Sequence, residues 1–189
     1  KNALKKKLKA EKAAAAKAEK DGMKAAAASK DPTTTKKMNT EEILDPTQFK
    51  ANREAMVRSL EAQGGSAYPH KFHVDYRLPD FSEYYMDKTT NGERIVEKVI
   101  SIAGRIVSVR GQGKLYFYDI SGDGTKVQVM SDLGTYESEQ AYYDIHRILK
   151  AGDIIGVKGY PGKSKTGQLS IFPVSMHLLS PCLHMVPFP

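Results

Sequence analysis

Val99-Ile-Ser-Ile-Ala-Gly-Arg-Ile-Val-Ser-Val109, Lys114-Leu-Tyr-Phe-Tyr-Asp-Ile120 and Thr125-Lys-Val-Gln-Val-Met130 decide how this chain folds. All three runs are rich in β-branched and aromatic residues, the composition that suits a pleated, half-buried surface. Arg110-Gly-Gln-Gly113 and Ser121-Gly-Asp-Gly124 separate them with the residues that tight turns require. The stretch therefore predicts a three-stranded antiparallel meander. Side chains alternate between the faces of a strand, so position along each run sorts residues by face. Ile100, Ile102 and Ile106 fall together, as do Tyr116, Tyr118 and Ile120, and Val127 with Val129. Burying that aliphatic face leaves Arg105, Phe117 and Gln128 on the other. A ring can stack an unpaired base, an amide can hydrogen-bond its edge, and a guanidinium can meet phosphate or base. These three residues are the candidate nucleic-acid site.

Downstream, residues 136–150 predict a helix with Ala141, Tyr142, Ile145, Ile148 and Leu149 on one stripe, stopped by Gly152. Strand four is expected over Asp153–Tyr160. Pro161-Gly-Lys-Ser-Lys-Thr-Gly167 is expected as an exposed basic loop, and strand five runs from Gln168 towards Leu179. The fold predicted is mainly β with flanking helices. Three strands, a helix and two strands is the order of a five-stranded Greek-key barrel of OB type, which binds oligonucleotides on strands two and three. Gly104 suits the bend that lets the first strand serve both halves of such a barrel.

Upstream, Asp45-Pro-Thr-Gln48 predicts a helix start with a capping box, and Phe49, Met56, Val57 and Leu60 recur at helical spacing before Gly64-Gly65. Asp80 and Glu83 suggest a second capping box opening a short helix with Phe81, Tyr84 and Tyr85. Asn91-Gly92 turns into the first strand. The organisation expected is a tail and linker over 1–40, a helical lead-in over 41–94, the barrel over 95–180 and an exit segment over 181–189.

Charge is unevenly placed. Residues 1–37 hold twelve lysines against four acids, whereas the rest holds seventeen Lys and Arg against eighteen Asp and Glu. A near-neutral domain with a cationic arm points to a polyanionic partner. Residues 1–30 are almost wholly Ala, Lys and Glu, strong helix formers without a core-sized apolar stripe. Lys1, Lys5, Lys9 and Lys12 fall along one side of such a helix, and Lys5, Lys6, Lys9 and Lys12 are the candidate phosphate contacts, driven by counterion release. No membrane role is expected, since no apolar run approaches the ~18 residues needed to span a bilayer. The N-terminus lacks the apolar stretch of a secretory signal. The single cysteine, Cys182, allows no internal disulfide, so a cytoplasmic location is expected. Asp119-Ile-Ser-Gly-Asp123 resembles the start of a calcium loop, but Met130 stands where its last carboxylate belongs. Neither a metal site nor a catalytic constellation is expected.

These segments also carry a family resemblance. Leu4-Lys-Lys-Lys-Leu-Lys-Ala-Glu-Lys12, Tyr68-Pro-His-Lys-Phe-His-Val74, Ala103-Gly-Arg-Ile106, Gly113-Lys-Leu-Tyr-Phe-Tyr-Asp119, Val127-Gln-Val-Met130, Gly152-Asp-Ile-Ile-Gly156 and Leu179-Ser-Pro-Cys-Leu-His-Met185 resemble the N-terminal half of eukaryotic cytosolic lysyl-tRNA synthetases. The resemblance implies an anticodon-binding domain in which Phe117 stacks on the central anticodon uridine, Gln128 hydrogen-bonds it and Arg105 contacts the anticodon stem-loop. It implies tRNA(Lys) as partner, a homodimer, and in animals a multi-synthetase complex. It also implies a catalytic domain, using ATP and magnesium, beginning after Met185. This chain alone is therefore expected to bind tRNA without aminoacylating it. The residues themselves leave two other readings: a free-standing OB-fold binder of single-stranded nucleic acid, and a protein-interaction module.

Overall fold

The computed structural model describes residues 45–112 and 114–186, so Lys5, Lys6, Lys9 and Lys12 lie outside the described residues. Two helices come first, α1 (Pro46–Ala62) and α2 (Leu78–Met86). β1 (Ile100–Gln112), β2 (Leu115–Gly122) and β3 (Thr125–Asp132) follow, then α3 (Glu139–Ile148), β4 (Ile154–Lys163) and β5 (Leu169–Ser180). The strands close into one barrel in the order β1-β2-β3-β5-β4, with every pair antiparallel except β3 with β5. This is the five-stranded barrel that the order of elements predicted.

The meander forms because its side chains divide cleanly. Ile100, Ile102, Ile106, Tyr118, Ile120, Val127 and Val129 are all buried, and they meet Ile155, Val157 and Ile171 from the other half. Each such side chain contributes roughly 1.5–3 kcal/mol by leaving water, so this layer dominates the domain's stability. The turn between β2 and β3 uses Asp123 and Gly124, both at positive φ (50° and 78°), the geometry that matches a two-residue hairpin loop to strand twist. β1 serves two partners: Ile100–Arg105 pair with β4, and Arg105–Gln112 pair with β2. The handover falls at Gly104, where an added Cβ would sit 3.1 Å from a Leu78 methyl and 3.2 Å from the Ile120 side chain. A side chain there would push α2 and β2 apart by a few tenths of an ångström.

Several expectations require correction. Pro46 does open α1, but Asp45 makes no side-chain cap, so the capping box is absent. α2 starts at Leu78, before Asp80, because Pro79 in its first turn supplies a φ already set for helix; Asp80 and Glu83 lie inside it. Pro161 and Gly162 are buried within β4, not exposed in a loop. Residues 93–95 run alongside them, with Ile95 N donating to the Pro161 carbonyl at 2.9 Å and Lys163 N to Glu93 at 3.0 Å. A proline is tolerated there because its carbonyl still accepts. α3 is shorter than predicted and Ala141 is exposed; His146, not Ala141, shares the buried face with Tyr142.

α1 is pinned to the barrel by a charge. Arg53, only 4 % exposed, sends Nη2 to Asp153 Oδ1 at 2.6 Å, Nη1 to the Ile148 carbonyl at 2.8 Å and Nε to the Cys182 carbonyl at 3.1 Å. Asp153 also accepts from the backbone N–H of Lys150 and of Cys182. Burial raises the Asp153 carboxyl above its usual value, against the pull of Arg53 and those two N–H groups. One guanidinium thus joins α1, the end of α3 and the chain leaving β5. Among the described residues, no helix is long and apolar enough to cross a membrane.

Candidate nucleic-acid interface

The outer face of β1–β3 presents the candidate site. In the β1–β2 ladder Arg110 lies opposite Phe117 and Ser108 opposite Asp119; in the β2–β3 ladder Phe117 faces Met130 and Asp119 faces Gln128. Phe117, Asp119, Gln128 and Arg110 therefore share one surface. Arg110, Gly111, Phe117 and Gln128 line a shallow depression on it, with a volume of about 380 Å³. The Phe117 ring is half-buried, leaving part of it open to a stacking partner, whereas Gln128 is 6 % exposed and offers only its tip.

Of the three predicted residues, the structure brings Phe117 and Gln128 together and sets Arg105 apart from them. Arg105 is exposed and on the outer side, but it pairs with Ser121, four residues along β2 from Phe117. That is roughly 13 Å at ~3.3 Å per strand residue. Its Nη1 donates to the Gly152 carbonyl at 2.8 Å, aiming it towards the β4 side. A bulge between Ile106 and Ser108 shifts the register by one, so that beyond it the even-numbered Ser108 and Arg110 face outward. Arg110 consequently stands beside the ring. Sequence reading missed it because simple alternation carries no sign of a bulge.

Arg110 is held in place. Its Nη2 meets Asp119 Oδ2 at 3.0 Å, and the same oxygen accepts from the Ser108 hydroxyl. The pair is exposed and contributes little stability; its effect is to orient a cation next to an aromatic face. Gln128 is oriented too, by the Ser170 hydroxyl, which donates to its Oε1 at 3.1 Å. Lys163 at the end of β4 and Lys165 in the turn that follows add positive charge near that end of β5.

Beneath this surface lies an aromatic support. Tyr116 stacks on His146 at 4.3 Å, Tyr142 meets the same imidazole edge-on at 4.2 Å, and the Tyr118 hydroxyl hydrogen-bonds its Nδ1. The Ser131 hydroxyl pairs with Nε2 at 2.9 Å. Both hydroxyls can donate or accept, so a neutral imidazole is fully satisfied. Burial holds His146 far below its ordinary 6.5, at about 3. It is a structural histidine that locks α3 onto β2 and β3. Among the described residues, no group of three or more His, Cys, Asp or Glu side chains is placed to hold a metal ion.

The barrel thus carries a partly open ring, a positioned amide and an oriented guanidinium together on the outer face of strands one to three. Residues 100–179 match the family of the OB-fold nucleic acid binding domain, tRNA anti-codon. The barrel is an anticodon-binding OB-fold. Around it, the chain is 39 % identical over 99 % of its length to lysine–tRNA ligase cla4 of Cladosporium cladosporioides, covering 32 % of that protein. It is 32 % identical over 80 % of its length to the probable cytoplasmic lysine–tRNA ligase of Encephalitozoon cuniculi, and 33 % identical over 74 % to the lysine–tRNA ligase of Thermotoga maritima, covering 28 % of each. The chain thus spans about a third of the length of the curated relatives it matches. The similarity to the first reaches beyond the anticodon-binding OB-fold into the lysine-rich tail.

Proposed function

We propose that this chain is the tRNA-binding part of a lysine–tRNA ligase, reading the anticodon of tRNA(Lys) on the β1–β3 face. The observation that carries the reading is the shared depression of Phe117, Gln128 and Arg110 on a barrel of the anticodon-binding family. Phe117 stacks the central anticodon base, Gln128 hydrogen-bonds its edge, and Arg110 neutralises a neighbouring phosphate. Arg105, facing the β4 side, serves the flank of the stem-loop instead of the stacked base. Lys5, Lys6, Lys9 and Lys12 add sequence-independent phosphate contacts.

The ligase reaction, with ATP and magnesium, is assigned to the parent protein. Recognition is what this domain contributes to it. A cytoplasmic location, a homodimer and a place in a multi-synthetase complex belong to that parent protein as well.

Equilibrium binding to an anticodon hairpin with a UUU triplet tests the reading. Phe117→Ala should weaken binding by about 1–3 kcal/mol, the usual worth of one stacked base. If Phe117→Ala and Gln128→Ala both leave affinity and anticodon preference intact, the reading falls.

A further inference from the structure

A second concave surface is formed by β4, β5, the ends of α1 and α3, and residues 65–73. It is a groove of about 380 Å³ and shares no residue with the depression around Phe117. Its floor is aliphatic. Leu60 at the end of α1, Ile145 and Ile148 one turn apart on α3, and Leu179 near the end of β5 are all half-buried, so apolar surface stays in contact with water. Apolar surface framed by charge is the anatomy of a contact site.

The rim carries one sign of charge. Lys71, His73, Lys158 and His177 are its titratable groups, all four reach solvent, and no carboxylate lines it. The chain beyond residue 37 holds seventeen Lys and Arg against eighteen Asp and Glu, so the groove is a local excess of base in a near-neutral region. The histidines contribute little of it. His73 Nε2 is paired with Asp75 Oδ1 at 3.1 Å. Partial burial of its ring, and next the charge of Lys158, hold His177 below its ordinary value. The standing charge is that of Lys71 and Lys158, which no salt bridge reaches among the described residues.

Phe72 also lines the groove, but its ring is not offered to a base. The tip of the ring comes so near Gly156 that a Cβ there would lie 2.6 Å away. The His177 ring is 5.7 Å from it, and Lys158 Nζ stands 5.8 Å from its centre. An aliphatic floor without an open ring does not suit unpaired nucleotides, which need a stacking platform. It suits a Leu or Ile side chain of a peptide, with carboxylates on either side for the two lysines.

We infer that this groove docks an acidic peptide segment of a partner protein, seating one aliphatic side chain on Leu60, Ile145, Ile148 and Leu179 while flanking carboxylates meet Lys71 and Lys158. None of these residues takes part in the anticodon reading, and the groove stands whether or not Phe117 stacks a base.

Fluorescence anisotropy of the full chain with a labelled peptide, Asp-Glu-Leu-Leu-Glu-Asp, tests the docking. The peptide should bind, and its affinity should fall as salt is raised. Changing both of its leucines to serine should weaken binding by about tenfold or more, the worth of one aliphatic side chain leaving water. Lys71→Glu combined with Lys158→Glu turns two attractions into repulsions and should also cost about tenfold or more. Both positions are exposed, so the melting temperature should not change. The UUU hairpin at saturation should not displace the peptide, and the double variant should keep its hairpin affinity within about twofold, since distant sites act independently. Failure of the peptide to bind, or binding that the lysine substitutions or the serine peptide leave unchanged, would refute the docking role. So would a hairpin that displaces the peptide or loses affinity for the double variant, since the groove would then be a contact for nucleic acid.

Discussion

Replacing His146 by glutamine should flatten the acid side of the domain's stability curve. The imidazole is sealed between Tyr116, Tyr118, Tyr142 and Ser131, and burial holds it at about 3 in the fold against an ordinary 6.5. A histidine depressed in this way binds its proton more readily when the chain unfolds. Its contribution is therefore intact above 6.5 and is lost as the pH falls towards 3. Each pH unit below 6.5 costs about 1.4 kcal/mol, so about 2 kcal/mol disappears between pH 7 and pH 5. Denaturant titrations at fixed ionic strength at pH 7, 6 and 5 would measure it. Glutamine can replace one hydrogen bond but carries no proton in this range. His146→Gln should therefore be less stable at pH 7, by about 1–3 kcal/mol for the disturbed packing and hydrogen bonding, yet lose about 2 kcal/mol less on going to pH 5. All other titrating groups are common to the two proteins and cancel in the comparison. Parallel pH profiles would refute the claim that His146 is held neutral.

Other predictions concern the clasp, the glycines and the cation beside the ring. Arg53→Ala strands Asp153 and the Ile148 and Cys182 carbonyls, and should cost about 3–5 kcal/mol in chemical denaturation, far beyond a surface ion pair. Gly159→Ala drives a Cβ into the Phe172 carbonyl oxygen, a backbone atom that cannot step aside, so soluble folded yield should collapse. Gly156→Ala meets instead the Phe72 ring at 2.6 Å, a side chain that can move; the barrel should survive with a loss of about 1–3 kcal/mol and increased proteolysis near residue 72. Arg110→Ala should reduce the salt dependence of hairpin binding by about one phosphate contact, and Arg105→Ala should affect the UUU preference less than Gln128→Ala does. Removing residues 1–37 should weaken all hairpins alike.

The meander was legible because β-branched alternation, two glycine turns and an Asp-Gly pair all point to one register. Gly104, Gly64 and Gly92 were readable for the same reason, the last two standing at positive φ at the end of α1 and ahead of β1. What could not be read depended on contacts distant in sequence. The bulge after Ile106 exchanged Arg105 for Arg110 beside Phe117, and nothing local announces where one extra residue enters a strand. Pro161 and Gly162 looked like a loop, yet they pair with Ile171 and Ser170 of β5 on one side and with residues 93–95, some 65 positions earlier, on the other. Nothing local marks Arg53 or His146 as buried; their burial is licensed by partners 100 and 28 positions away in the chain. Gln128 read as openly exposed, whereas β5 covers all but its tip.

The most direct test of the central claim is a backbone and side-chain amide NMR titration of the full chain with the UUU hairpin. The largest shifts should fall on Arg110, Phe117, the Gln128 side-chain NH2 and their strand neighbours in β1–β3. Shifts confined to α1, α2 or the β4–β5 side, with the Phe117 and Gln128 signals unmoved at saturation, would contradict it.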